Sequence, residues 1–101
     1  MLQYFGKTEC PNADLLFLEV NGGHYQEFLH TKSDFIYYVL EGEGTFYLDG
    51  KEISVKASDA ILAPKNTKIY YLGTMKLLLC CAPAWEEEYE QHIRFIEQPH
   101  V

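Results

Sequence analysis

Basic residues are scarce in this chain. Eight Lys and Arg stand against 15 Asp and Glu, for a formal net charge of −7 over 101 residues. Neutralising a phosphate backbone takes clustered Lys and Arg, so nucleic acid is not an expected partner. No apolar run approaches the roughly 18 residues of a membrane-spanning helix. The opening MLQYFGKTEC also lacks a basic segment followed by an apolar one, so neither a membrane partner nor export is expected. Cysteine is limited to Cys10, Cys80 and Cys81, an odd number without the paired spacing of a zinc site, and reduced thiols in a cytoplasm are the simplest account. With no internal repeat, low-complexity stretch or linker, residues 1–101 are expected to form one domain.

What the chain does hold is apolar and aromatic. Hydrophobic residues make up 48%, with 8 Tyr and 6 Phe. Such enrichment favours strands packed face to face over a helical bundle. Gly, Pro, Asn and Asp cut the chain into short apolar segments about ten residues apart, the pattern of a sandwich or barrel. Strands are expected at Leu15 to Val20, His24 to His30, Phe35 to Leu40, Thr45 to Leu48, Lys51 to Val55, Ala60 to Ala63, Lys68 to Leu72 and Met75 to Cys81. Asp49-Gly50 is the strongest hairpin signal, because a tight mirror-type turn needs the positive φ that this pair adopts cheaply.

After Pro83 the period changes. Trp85, Tyr89, His92, Ile93 and Ile96 recur three or four apart, with acids first and Arg94 late, which predicts a short helix in a tail spanning 84–101 beyond a core barrel of about 13–83. His92 and His100 fall in this tail and are expected on its surface. The run Phe35 to Leu40 is apolar on both faces, Phe35, Tyr37 and Val39 on one and Ile36, Tyr38 and Leu40 on the other. Both faces therefore need covering, the outer one by the tail or by a second copy, and a homodimer is the preferred expectation.

The run from Phe28 to Gly44, FLHTKSDFIYYVLEGEG, resembles the first motif of the cupin family, in which a His-x-His pair precedes a Glu seven residues before a Gly. Ser58 to Ile69, SDAILAPKNTKI, is similar to the second. The resemblance spans roughly residues 20 to 83 and implies an all-β double-stranded β-helix, the jelly-roll barrel of that family. It also implies a metal site, and here the chain departs from the pattern. Anchored on Gly42, the Glu position holds Phe35 and the two His positions hold Phe28 and His30, while the last His position holds Ile69. One imidazole among three apolar side chains cannot supply the roughly 10 kcal/mol typical of a bound structural metal. No cofactor is therefore expected.

Apolar walls with few polar handles suit a small organic ligand. By strand parity the expected lining is Phe28, His30, Phe35, Tyr37, Tyr47, Ile69 and Tyr71. The leading expectation is a metal-free, homodimeric binding module. An alternative is a metal-independent isomerase or epimerase, with His30 as general base and Tyr37 or Tyr71 as proton donor. A further alternative keeps a metal through displaced donors, His24, Gln26 and His30 joined by Glu27 or Cys81. His24 at a strand start otherwise reads as an exposed histidine, and His30 as a hydrogen-bonded core residue.

Overall fold

The computed structural model describes residues 1–97; the expectation for His100 falls outside them. The described residues form eight strands: β1 (Leu2–Phe5), β2 (Leu15–Val20), β3 (Gly23–His30), β4 (Asp34–Leu48), β5 (Lys51–Lys56), β6 (Ala60–Ala63), β7 (Ile69–Ala82) and β8 (Glu90–Phe95). All pair antiparallel in one sheet that curls into the expected jelly-roll barrel. Strand β7 organises it. Its first residues pair with β3 and its later ones with β2, while β4 follows its other edge from Leu48↔Ile69 to Asp34↔Ala82. The change of partner falls at Gly73 (φ 127°), where a Cβ would stand 2.6 Å from the Glu43 carbonyl oxygen, so only glycine fits.

Leu48↔Lys51 closes the β4–β5 hairpin around Asp49 (φ 51°) and Gly50 (φ 80°), the two positive φ values of the mirror-type turn. The Asp49 carboxylate also accepts the Lys68 amide at 2.9 Å, which fastens the turn to the approach of β7.

Two sequence expectations are corrected. Residues 84–97 form no α-helix: one 3₁₀ turn at Glu87–Tyr89 leads into β8, which pairs with β3 from Gln26↔Phe95 to His30↔Glu90. A short isolated helix is marginal in water, whereas the bare edge of β3 offers backbone groups that need partners. Strand β8 supplies them. Arg94 then donates Nε–H to Glu27 Oε1 at 2.9 Å and lies over the Tyr70 ring, so the side chains that suggested a helix fasten a strand.

The second correction concerns parity. Val39↔Leu77 is followed by Glu41↔Lys76, so Leu40 is an extra residue and β4 carries a bulge. Gly42 (φ 88°) follows it, its α-carbon against the Thr74 carbonyl, where a side chain would collide. Before the bulge Phe35, Tyr37 and Val39 face the core; after it Phe46 does, fully buried. Tyr47 is thereby turned to the outside, where it stacks on Tyr70 with ring centres 4.4 Å apart, and it does not line the lumen.

The interior is an aromatic stack. Tyr37 packs edge-on against Phe46 at 4.9 Å, Phe46 stacks on Tyr71 at 4.8 Å, and Phe28, Phe35 and His30 continue the column. Ile36, Tyr38 and Leu40 remain 40–43% exposed, so the described tail residues, 84–97, leave the outer face largely uncovered.

Candidate functional site

Above this stack the barrel opens into a cavity of about 310 Å³, at the lower end of the roughly 300–1,000 Å³ range of small-molecule sites. Phe28, Phe35, Tyr37 and Tyr71 of the expected set line it. Three others do not. Tyr47 is excluded by the bulge, and Ile69 is buried in the core without reaching the cavity wall.

His30 is the third, and its environment removes it from chemistry. Its Nδ1 accepts the Ser33 amide at 2.8 Å and the Lys32 amide at 3.3 Å, which makes Nε2 the protonated nitrogen, donating to the Glu86 carbonyl at 3.0 Å. With both nitrogens committed and 1% of its surface exposed, His30 is a structural tie between the β3–β4 turn and the tail. The isomerase reading that made it the base is corrected accordingly.

His24 takes the place that parity assigned to His30. It shares a face with Phe28, packs edge-on against that ring at 5.3 Å and stacks on Tyr71 at 5.2 Å. Its Nδ1 is buried and makes no hydrogen bond among the described residues. Burial lowers its pKa below the ordinary 6.5, favouring the neutral ring, while the nearby Gln26 backbone and the Glu90 carboxylate act in the opposite sense. His24 thus brings to the cavity wall an imidazole that burial keeps toward its neutral form, with one ring nitrogen unpaired among the described residues.

The remaining polar lining converges on the same space. Gln26 follows His24 by two along β3, and Gln3 comes from β1. Asp14 is 2% exposed and accepts the Cys81 amide at 2.7 Å and the Trp85 amide at 3.0 Å, fastening the chain after β7 across the cavity wall. Trp85 in turn donates its indole N–H to Glu90 at 3.0 Å. Burial raises the phenol pKa values of Tyr37 and Tyr71, so both remain hydrogen-bond donors through the neutral range. Burial, with Asp14 adding to it, likewise keeps the Cys81 thiol protonated. Sequence reasoning read His24 as an exposed histidine or as a displaced metal donor, and did not place Asp14, Trp85 or Glu90 in the site. Parity with Phe28 was the one available signal for His24; the others come from segments whose position depends on distant pairing.

The residues present do not fit the metal of the cupin pattern. His30 has no free nitrogen, and Phe28, Phe35 and Ile69 carry no donor atom. The displaced set is not assembled either: Glu27 is turned away to Arg94, and among the described residues no three His, Cys, Asp or Glu side chains gather as a metal site. No helix there is long and apolar enough to cross a membrane.

Comparison with known proteins places these features in context. The chain is similar to the Streptomyces nucleoside dehydratase Pac13, at 42% identity and a TM-score of 0.86 over 87% of this chain and 73% of that one. One His-to-Gln and two Tyr-to-Phe variants of Pac13 are known with uridine. An uncharacterised protein of Methanocaldococcus jannaschii is 41% identical over 63 residues, 58% of this chain, and the chain spans half of that protein's length. KdgF of Halomonas, at 20% identity and a TM-score of 0.69 over 77% of this chain and 74% of its own, shares the fold. Residues 15–74 match the cupin domain family, and this chain belongs to it.

Proposed function

We propose that this cupin binds a nucleoside-like small molecule in the barrel cavity and removes water from it, with His24 carrying the proton. One observation supports this above the others. The substituted histidine and two tyrosines of Pac13 are separated by 13 and then 34 positions, and His24, Tyr37 and Tyr71 stand at the same separations here. In this fold those three side chains meet around one cavity.

Dehydration takes a proton from one carbon and hydroxide from its neighbour, forming a C=C bond between them. The neutral imidazole of His24 accepts the proton, and the same imidazolium, held beside the ligand, returns it to the departing hydroxyl as water. Tyr37 and Tyr71 hold ligand oxygens as neutral donors. Gln26, Gln3 and the exposed edge of Trp85 remain for the rest of the ligand. Among the described residues no Lys or Arg lines the cavity while Asp14 and Glu90 do, which favours an uncharged nucleoside over its phosphate. The proposed form is a metal-free cytoplasmic homodimer; Phe28, Phe35 and Ile69, which carry no donor atom, stand where the cupin pattern has metal ligands.

Uridine titration by calorimetry tests binding. Mass spectrometry tests turnover, as loss of one water from a nucleoside panel that includes forms oxidised to a carbonyl, whose neighbouring C–H a base as weak as imidazole can deprotonate. His24→Gln is expected to retain binding and abolish water loss. Turnover unchanged in His24→Gln sinks the assignment, and binding without turnover across the panel returns the protein to a binding module.

A further inference from the structure

Between β7 and β8 the chain crosses the cavity wall as a strap, residues 83–89, and it delivers two cavity-lining side chains, Trp85 within it and Glu90 at its end. The strap has little core of its own. Ala84 is buried, but Trp85 is 38% exposed, and the 3₁₀ turn Glu87–Tyr89 buries no residue and has no side-chain cap. A segment with so few buried apolar contacts opens at low cost, so directional polar contacts rather than packing set its place.

Those contacts come from consecutive residues of the β3–β4 turn. His30 donates Nε2–H to the Glu86 carbonyl at 3.0 Å, and Thr31 donates its amide to the Tyr89 carbonyl at 2.9 Å. Lys32 pairs with the Glu86 carboxylate at 3.1 Å, and Ser33 donates its hydroxyl to the Pro83 carbonyl at 2.6 Å. The turn thus grips the strap from one end to the other. The Lys32–Glu86 pair is solvated and contributes little, whereas His30 and Ser33 are each 1% exposed, so water does not compete for their donor groups.

The His30 ring ties both partners together. Its Nδ1 takes the Ser33 and Lys32 amides and so shapes the turn, while Nε2–H carries the turn's hold to the strap. Strand β8 opens in register at His30↔Glu90, where Glu90 enters the cavity wall, and the Trp85 indole bonds to Glu90, so the two lining residues are placed as a pair. We infer that His30 is a positioning residue of the ligand site: through the strap it sets Trp85 and Glu90 against the occupant of the cavity and governs affinity, beyond its share in stability. Groups held in place beforehand spare the ligand the cost of ordering them.

Two substitutions in the full chain separate the ring nitrogens. The Asn side-chain oxygen reaches the place of Nδ1 and accepts the Ser33 amide, but Asn has no donor where Nε2 lies; Gln brings an amide N–H near Nε2 and leaves the turn amides without their acceptor. His30→Asn therefore releases the strap and keeps the turn, and His30→Gln does the reverse. Acrylamide quenching of Trp85, the single tryptophan, is expected to rise about twofold or more in His30→Asn and to stay at the wild-type value in His30→Gln, although the latter melts lower. Uridine affinity by calorimetry is expected to fall at least about tenfold in His30→Asn and less than about twofold in His30→Gln. Ser33→Ala deletes one strap bond and little volume; it should repeat the Asn pattern more weakly and replaces His30→Asn if that variant fails to fold. Unchanged quenching in the strap-releasing variant, or His30→Gln as perturbed as His30→Asn, overturns the inference, and so does equal uridine affinity in wild type and the strap-releasing variant. The uridine readout rests on the nucleoside reading, whereas quenching does not. A wild type that ignores uridine refutes that reading, while Trp85 freed in His30→Asn but not in His30→Gln supports the hold of His30 on the strap.

Discussion

Replacing Asp14 by Ala tests whether the cavity wall is held as the structure indicates. The Asp14 carboxylate, 2% exposed, accepts two amide protons, from Cys81 at 2.7 Å and from Trp85 at 3.0 Å. Hydrogen bonds to a charged group contribute roughly 1.5–3 kcal/mol each, so losing both costs about 3–6 kcal/mol, since the Cys81 amide in particular has no water to turn to. That is a large part of the roughly 5–15 kcal/mol that holds a domain folded. At about 4–8 °C per kcal/mol for a chain of this size, melting should fall by more than roughly 12 °C. Asp14→Asn, with one acceptor oxygen, should lie between Ala and wild type. Urea unfolding gives the free energy, and tryptophan emission from Trp85 reports the cavity wall alone. Because Asp14 holds the backbone that carries Trp85, its fluorescence should change in the variant before global unfolding. A loss below about 1 kcal/mol in Asp14→Ala, or an unchanged Trp85 signal, refutes the account of this carboxylate as the anchor of the wall.

Three further outcomes are expected. Burial lowers the His24 pKa below 6.5, so the unfolded chain binds that proton first as pH falls; its stability contribution is complete above about 6.5, declines between there and the lowered value, and levels off below it. Turnover should follow the neutral imidazole, with an acid limb centred below 6.5, and a ring NMR titration of His24 at or above 6.5 contradicts this. Tyr71→Phe should weaken uridine binding by several-fold while Tyr47→Phe leaves it unchanged, and the reverse order in calorimetry refutes the bulge-shifted parity of β4. Uridine monophosphate should bind at least about tenfold more weakly than uridine, a difference of about 1.4 kcal/mol, because its phosphate meets Asp14 and Glu90 without a Lys or Arg; equal affinity in competition titration removes the argument for an uncharged ligand.

Short-range chemistry was legible in the residues themselves. The extents of β2 and β6, the Asp49-Gly50 turn, the inward Phe35, Tyr37 and Val39, and the barrel class follow from alternation and turn preference, which act over a few residues. The resemblance carried by residues 28–44 and 58–69 rests on the same local pattern. What escaped depends on partners far along the chain. The bulge at Leu40 lies between the Val39↔Leu77 and Glu41↔Lys76 pairs of β4 with β7, and it exchanges the faces of Phe46 and Tyr47. The tail is strand because β3 has a free edge, although its spacing reads as helix. His24 and His30 share a residue type and a strand, and only the chain folded around them separates their roles. Ser33, Lys32 and Glu86 occupy both nitrogens of His30, whereas Phe28 and Tyr71 wrap His24 in rings that leave Nδ1 unpaired. Alternation records which side chains look the same way; whether a nitrogen is free is a property of the groups that distant segments bring against it.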